Sequence, residues 1–336
     1  MVHTALHLTI LHWLKALDGR LGELETCLLE KSREWRDAVK LGRTCLMDAL
    51  PMTVGQQSSG YHALIARQRH AFSRLQEDCR VLGMGGTGIG TGLGTGLGMA
   101  PGFLEAFYEE LSEAEGEKFT PAENFFDVLQ NSDFYLAVSG AFKTLATGLS
   151  RIASDLRIMS SGPRAGWGEI VLPAVQPGSS IMPGKINPLM PELIIQIGYQ
   201  VCGHDLAVTM AHEGGDIDLN VWEAVFLHNL SQSGMLLHNG IGLFIEKCLS
   251  GITLNTQLCE AHARSSLALA TVISETYGYA TGLAMARKAA ADGTSVAEAT
   301  VALGIMDEKS AAELLDPLSQ TSREASMRLR AKYQPK

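Results

Sequence analysis

The residues best suited to chemistry lie in one short run, Gly178-Ser179-Ser180-Ile181-Met182-Pro183-Gly184-Lys185-Ile186-Asn187-Pro188. Two hydroxyls, an ammonium and an amide sit between glycines that lend mobility and prolines that restrict it. Such a segment can close over an anion and clamp it with charge-assisted hydrogen bonds. It is not a nucleotide phosphate loop. Five residues separate Gly178 from Gly184-Lys185 where that motif has four, and Ile186 stands where Ser or Thr would hold magnesium. Composition alone leaves two readings level: an anion-clamping loop, or an ordinary polar loop.

Other segments imitate functional motifs less well. Gly83-Met84-Gly85-Gly86-Thr87-Gly88 spells GxGxxG, but an amphipathic helical pattern precedes it and more glycine follows. A dinucleotide site needs a strand before the glycines and a helix after them. The spacing of Gly88, Gly92 and Gly96 imitates a membrane-helix contact, yet nine of the sixteen residues from Gly83 to Gly98 are glycine. Transfer of such a segment into lipid gains little. A tight inter-helix loop is expected here. His212-Glu213-Gly214-Gly215-Asp216 lacks the second histidine of a zinc helix. Trp13 and Trp222 read as core residues. The cysteines are Cys27, Cys45, Cys79, Cys202, Cys248 and Cys259; none forms a CxxC pair. Buried free thiols in a reducing, cytoplasmic setting are expected.

The elements that must position the loop are long helices. Leu6, Ile10, Trp13, Leu17, Leu21, Leu24 and Leu28 step by threes and fours, as do Phe134, Val138, Ala141, Leu145, Leu149, Ile152, Leu156 and Met159. This keeps one apolar stripe on one helix face. Tyr61 to Leu82, Leu193 to Met210 and Val221 to Ile252 repeat the pattern less strictly. Strands are barely visible, with Glu169 to Val175 the best candidate. An all-α, elongated bundle of mutually packed helices is expected. Its first 265 residues form the bundle and carry the loop 178–188. Residues 266–336 form a small C-terminal α-domain and tail. Within the latter, helices flank a turn at Asp292-Gly293-Thr294, Ser295 and Glu298 form a capping pair, and Met306 to Ser310 opens another helix. Arg328 to Lys336 reads as a frayed basic tail. Charge excludes one class of function: 27 basic against 36 acidic side chains leave a net charge of −9. A nucleic-acid binder needs a basic stripe. The start, Met1-Val2-His3-Thr4-Ala5, lacks a signal-peptide pattern.

The wording of the loop separates its two readings. GSSIMPGKINP resembles the signature loop of the fumarase/aspartase superfamily. The resemblance continues in Gly42-Arg43-Thr44, in Asp48 to Gln56, in Leu156-Arg157 and in Ser160 to Gly166. It extends through Asn187 to Glu192, Ala207 to Met210, Leu219-Asn220-Val221, Glu246-Lys247-Cys248 and Gly251-Ile252-Thr253. Its wording is nearer the aspartase branch than the fumarase branch.

The resemblance implies an all-α subunit that assembles as a homotetramer with active sites shared between subunits, and chemistry without metal or organic cofactor. The implied activity is a lyase that eliminates ammonia from L-aspartate to give fumarate, reversibly. Hydration of fumarate is the alternative. By match to the family loop, Ser179 is the general base, Ser180, Lys185 and Asn187 bind substrate, Thr44 matches a substrate-contacting threonine, and Glu192 supports a neighbouring group. Cys45 stands where fumarases have histidine, Gly94 where the family wording places asparagine, and His204 where it places another. The family's N-terminal domain is expected to be absent. Met1 to Thr4 falls where a substrate-binding Ser-Ser-Asn-Asp-x-x-Pro-Thr block would end. Impaired activity, or a silent subunit that assembles with a full-length relative, is expected from that.

Overall fold

The computed structural model describes residues 1–93 and 100–335, so Gly94 and Gly96 lie outside the described residues. Among the described residues are thirteen α-helices, and strands occur only as three two-stranded pairs. The fold is all-α. In chain order the helices are α1 (Val2–Glu34), α2 (Val54–Asp78), α3 (Phe103–Glu115), α4 (Phe125–Gln130), α5 (Asp133–Met159), α6 (Leu189–Glu213) and α7 (Glu223–Lys247). They continue as α8 (Thr256–Ser265), α9 (Ala270–Tyr277), α10 (Tyr279–Asp292), α11 (Val296–Ala302), α12 (Glu308–Leu314) and α13 (Arg323–Tyr333). No helix among the described residues is long and apolar enough to cross a membrane.

The chain divides into two compact units, each built from discontinuous segments. The first comprises 1–26, 63–157 and 173–251. Here the heptad-like stripes form the core. Leu17, Leu21 and Leu24 of α1 and Val138, Leu145, Leu149 and Ile152 of α5 are buried, as are Phe226 and Phe244 of α7. A Cβ at Gly234 of α7 would lie 2.8 Å from Trp13 Cγ, so glycine there lets α1 and α7 approach. Trp13 is half-buried, but Trp222 is 43% exposed and donates its indole N–H to Gly214 O at 2.6 Å. The expectation of a core Trp222 is therefore corrected. Its ring lies across the α6–α7 connection because its one polar group satisfies a carbonyl at the end of α6.

The second unit comprises 27–62, 158–172 and 252–336. Its helical part packs Leu269, Ile273, Met285, Ala289, Val296 and Leu314 into one cluster. Gly293 ends α10 in the left-handed region with φ 66°, and Ser295 and Glu298 form the capping box that starts α11. The basic end is helical to Tyr333, not frayed. Lys332 and the Tyr333 hydroxyl both reach Glu313, each with a 2.6 Å contact. The unit also holds an antiparallel hairpin, β1 (Val39–Thr44) and β2 (Met47–Thr53), that the sequence pattern does not announce. The remaining pairs are short: β3 (Val81–Leu82) with β4 (Thr120–Pro121) in the first unit, and β5 (Ile170–Val171) with β6 (Thr253–Leu254) in the second.

Candidate active site

The loop is built by its own backbone. Gly178 N–H donates to Lys185 O at 2.8 Å, and Asn187 Nδ2 donates to Gly178 O at 3.0 Å. These bonds close the base of the loop. A Cβ on Gly178 would meet Lys185 O at 2.6 Å and Asn187 N at 2.8 Å, so only glycine fits. The far side is a turn from Met182 to Lys185, closed by Lys185 N–H to Met182 O at 3.2 Å. Pro183 presets its first corner, and Gly184, at φ 80°, supplies the left-handed second corner of a type II turn.

Ser179 lies inside this frame. Its Oγ accepts N–H bonds from Ile181 at 3.3 Å and Met182 at 3.2 Å. Two backbone donors on one hydroxyl oxygen stabilise negative charge there, which is what an alkoxide base requires. Lys185 is exposed and has no carboxylate partner among the described residues, so its ammonium is available to an anion. Ser180 is exposed beside it. Asn187 is half-buried and donates one amide N–H to the loop base, which leaves the other N–H for a substrate. Glu192 sits in the first turn of α6, where a carboxylate suits the helix dipole, 3.8 Å from Arg157. Thus Ser179, Ser180, Lys185 and Asn187 share one loop and Glu192 the helix it enters, all in the first unit.

Thr44 belongs to the second unit, at the end of β1. It pairs with Met47 across a two-residue turn in which Cys45 (φ 53°) and Leu46 (φ 62°) are both left-handed. That is the hairpin geometry usually supplied by Asn-Gly. Thr44 is exposed, and so is Cys45, while Cys27 and Cys202 are half-buried, which corrects the expectation of buried thiols at these three positions. A turn tip at the surface has no core to enclose its side chains. None of the six cysteines is in a disulfide among the described residues.

Behind Thr44 lies a polar cluster that sequence reasoning missed. Glu169 is fully buried, and its Oε1 accepts from Arg43 Nη2 at 2.8 Å and lies 3.0 Å from His262 Nδ1. The Arg43 guanidinium stacks on the Trp167 ring at 3.8 Å. Cys259 donates its thiol to Glu169 O at 3.4 Å, and burial, then the nearby Glu169 charge, pushes that thiol up to about 11. The available sequence signal was a carboxylate at the head of the one apolar strand candidate. Among the described residues, no group of three or more His, Cys, Asp or Glu side chains is placed to hold a metal ion.

Comparison with known proteins places this all-α scaffold, with its serine loop entering a long helix, among the helical lyases. A family described as "Lyase" matches residues 1–203, and one described as "Fumarase C C-terminus" matches 269–321. Aspartate ammonia-lyase from Bacillus sp is 38% identical over 318 residues, covering 95% of this chain and 67% of that protein. Class II fumarate hydratase from Thermosynechococcus vestitus is 40% identical over 304 residues, covering 90% of this chain and 64% of that protein. A crystal structure of fumarate lyase:delta crystallin from Brucella melitensis superposes with TM-score 0.90 at 37% identity, covering 95% of this chain and 68% of that one. The chain belongs to the fumarase/aspartase superfamily. It spans about two thirds of the length of these relatives.

Proposed function

We propose that this chain carries out the elimination of ammonia from L-aspartate to give fumarate, reversibly. The observation that carries the reading is Ser179 Oγ held under two N–H donors in a loop with a free ammonium. In this mechanism Ser179, as alkoxide, takes a proton from the carbon next to one carboxylate. The C–H electrons first load that carboxylate as a dianionic aci-carboxylate, and Lys185, Asn187 and loop N–H groups stabilise it. Those electrons then form the C=C bond as the C–N bond breaks and ammonia leaves. Thr44 and Ser180 bind substrate, and Glu192 orients its neighbours. Similarity to aspartate ammonia-lyases supports the choice of substrate. Comparable similarity to class II fumarate hydratases supports malate and fumarate as the second reading.

A homotetramer with shared sites belongs to the same proposal. Tyr199, Leu206 and Met210 form an exposed apolar seam at helical spacing on α6, and a second copy of the chain would cover it. No disulfide forms among the described residues, which supports a reducing, cytoplasmic setting.

The test follows fumarate absorbance with aspartate and with malate, for the chain and for Ser179→Ala. The expected result is turnover of aspartate in preference to malate, with at least a hundredfold loss in the variant and unchanged assembly. Faster turnover of malate moves the assignment to fumarate hydration. Near-normal turnover by Ser179→Ala removes the serine mechanism.

A further inference from the structure

We propose that Glu169 is a positioning residue for the substrate-binding threonine: its buried carboxylate, holding Arg43, fixes the direction in which Thr44 faces. The inference rests on the proposed function in that Thr44 is taken to contact substrate. Glu169 itself lies within the second unit and touches no proposed substrate group.

The hairpin alone does not account for the conformation of its tip. Cys45 and Leu46 both occupy the left-handed region, which disfavours side chains larger than glycine. Leu46 is 66% exposed and Met47 70%, so the turn gains little from burial. Among the described residues the Thr44 hydroxyl has no hydrogen-bond partner, and being exposed it is open to solvent or a ligand. A strained turn carrying a free hydroxyl needs an anchor outside the turn.

Arg43 is that anchor. The β1–β2 register shifts between Leu41 and Arg43, and a Cβ at Gly42 would meet Leu50 O at 2.4 Å. This bulge re-aims the strand so that Arg43 turns inward and Thr44 outward. Inward, the guanidinium is held on one side by Trp167 and at its end by Glu169 Oε1. Glu169 is in turn fixed by four further contacts. Its N–H donates to Met159 O at 2.9 Å, and its carbonyl accepts from Asn255 N at 2.9 Å and from the Cys259 thiol. His262 Nδ1 lies against the same Oε1. One residue therefore ties the end of β1 to the end of α5 and to α8. Its other carboxylate oxygen is buried without a hydrogen bond, a cost that packing alone does not call for.

The experiment compares the chain with Thr44→Val, Glu169→Gln, Arg43→Lys and the two double variants containing Thr44→Val. Arg43→Lys keeps the charge but loses the planar stack on Trp167, and it serves if the neutral glutamine prevents folding. Aspartate kinetics and amide hydrogen exchange at Thr44–Met47 are read together. Each single variant is expected to raise KM roughly tenfold with kcat little changed, as for loss of a uniform binding contact. Each double variant is expected to match Thr44→Val alone. Exchange at Thr44–Met47 is expected to quicken at least roughly tenfold in Glu169→Gln or Arg43→Lys, while amides of α9 and α10 stay unchanged. Multiplying KM effects overturn the proposal, and so does unchanged exchange at the tip. Absence of turnover in the unmodified chain counts against the proposed activity instead, and the exchange data then decide the role of Glu169 alone.

Discussion

Gly178→Ala isolates the loop from the rest of the protein. The added Cβ would lie 2.6 Å from Lys185 O, 2.8 Å from Asn187 N and 3.0 Å from Asn187 Cγ. The first two are backbone atoms, so no rotamer relieves the contact. The base of the loop has to open by several tenths of an ångström. That sacrifices the Gly178 N–H bond to Lys185 O and the Asn187 amide bond to Gly178 O. At about 1 kcal/mol each, the closed loop loses about 2 kcal/mol, or about thirtyfold in population. The loop is largely exposed, so the core helices should not register the change. The assay is fumarate formation from aspartate beside a urea titration. A roughly thirtyfold fall in kcat/KM with an unchanged urea midpoint is expected. Gly184→Ala is the control for mechanism. Gly184 has φ 80° with nothing within 4 Å of a new Cβ, so only the torsional penalty of about 1 kcal/mol applies, about fivefold. Activity within twofold of the unmodified chain in Gly178→Ala, or a larger loss in Gly184→Ala, would refute the steric reasoning.

Three further outcomes follow from the structure. Burial holds the His7 imidazole down to about 4 from an ordinary 6.5, against a hydrogen bond to Cys79 O that favours the charged ring. The unfolded chain therefore binds more protons between those values, and stability present above pH 6.5 is lost as pH falls. From pH 7 to pH 5 that is about 2 kcal/mol; urea midpoints should fall less over this range in His7→Asn, and an equal fall in both would remove His7 as the cause. Iodoacetamide should label exposed Cys45 first, while buried Cys79 and Cys259, with thiols pushed up to about 12 and about 11, resist until unfolding; peptide mapping that finds Cys259 modified in the native protein would contradict its placement. Leu206→Lys puts a charge in the exposed α6 seam and should shift light scattering toward smaller species; an unchanged mass would mean that the seam is not the assembly surface.

What the sequence discloses depends on whether the physics is local. Leu17, Leu21 and Leu24 were legible as one face because a helix with one buried side repeats that side every three or four residues. Ser295 and Glu298 were legible as a capping box because both partners lie within one turn. The β1–β2 hairpin was not. Its bulge at Gly42 breaks the period of two, Pro51 sits in the second strand, and Cys45-Leu46 replaces the usual turn residues. The helical end at Arg323–Tyr333 was missed because Glu313, which holds Lys332 and Tyr333, comes from another helix.

The same distinction divides the candidate site. The hydrogen bonds that hold Ser179 and close its loop lie between Gly178 and Asn187, so a short motif carries this local geometry as well as the residue types. Thr44 is different. Its residue type is visible, but the direction of its hydroxyl is set by a bulge two residues back and by a carboxylate well over a hundred residues away in sequence. Glu169 shows no helical period and no motif spacing to Arg43, and a buried charge is read from sequence only when its partner is already known. For this reason a loop residue such as Gly178 can be assigned a role from its neighbours. A strand residue such as Thr44 needs the tertiary contacts of Arg43, Glu169 and Trp167 before its chemistry can be placed.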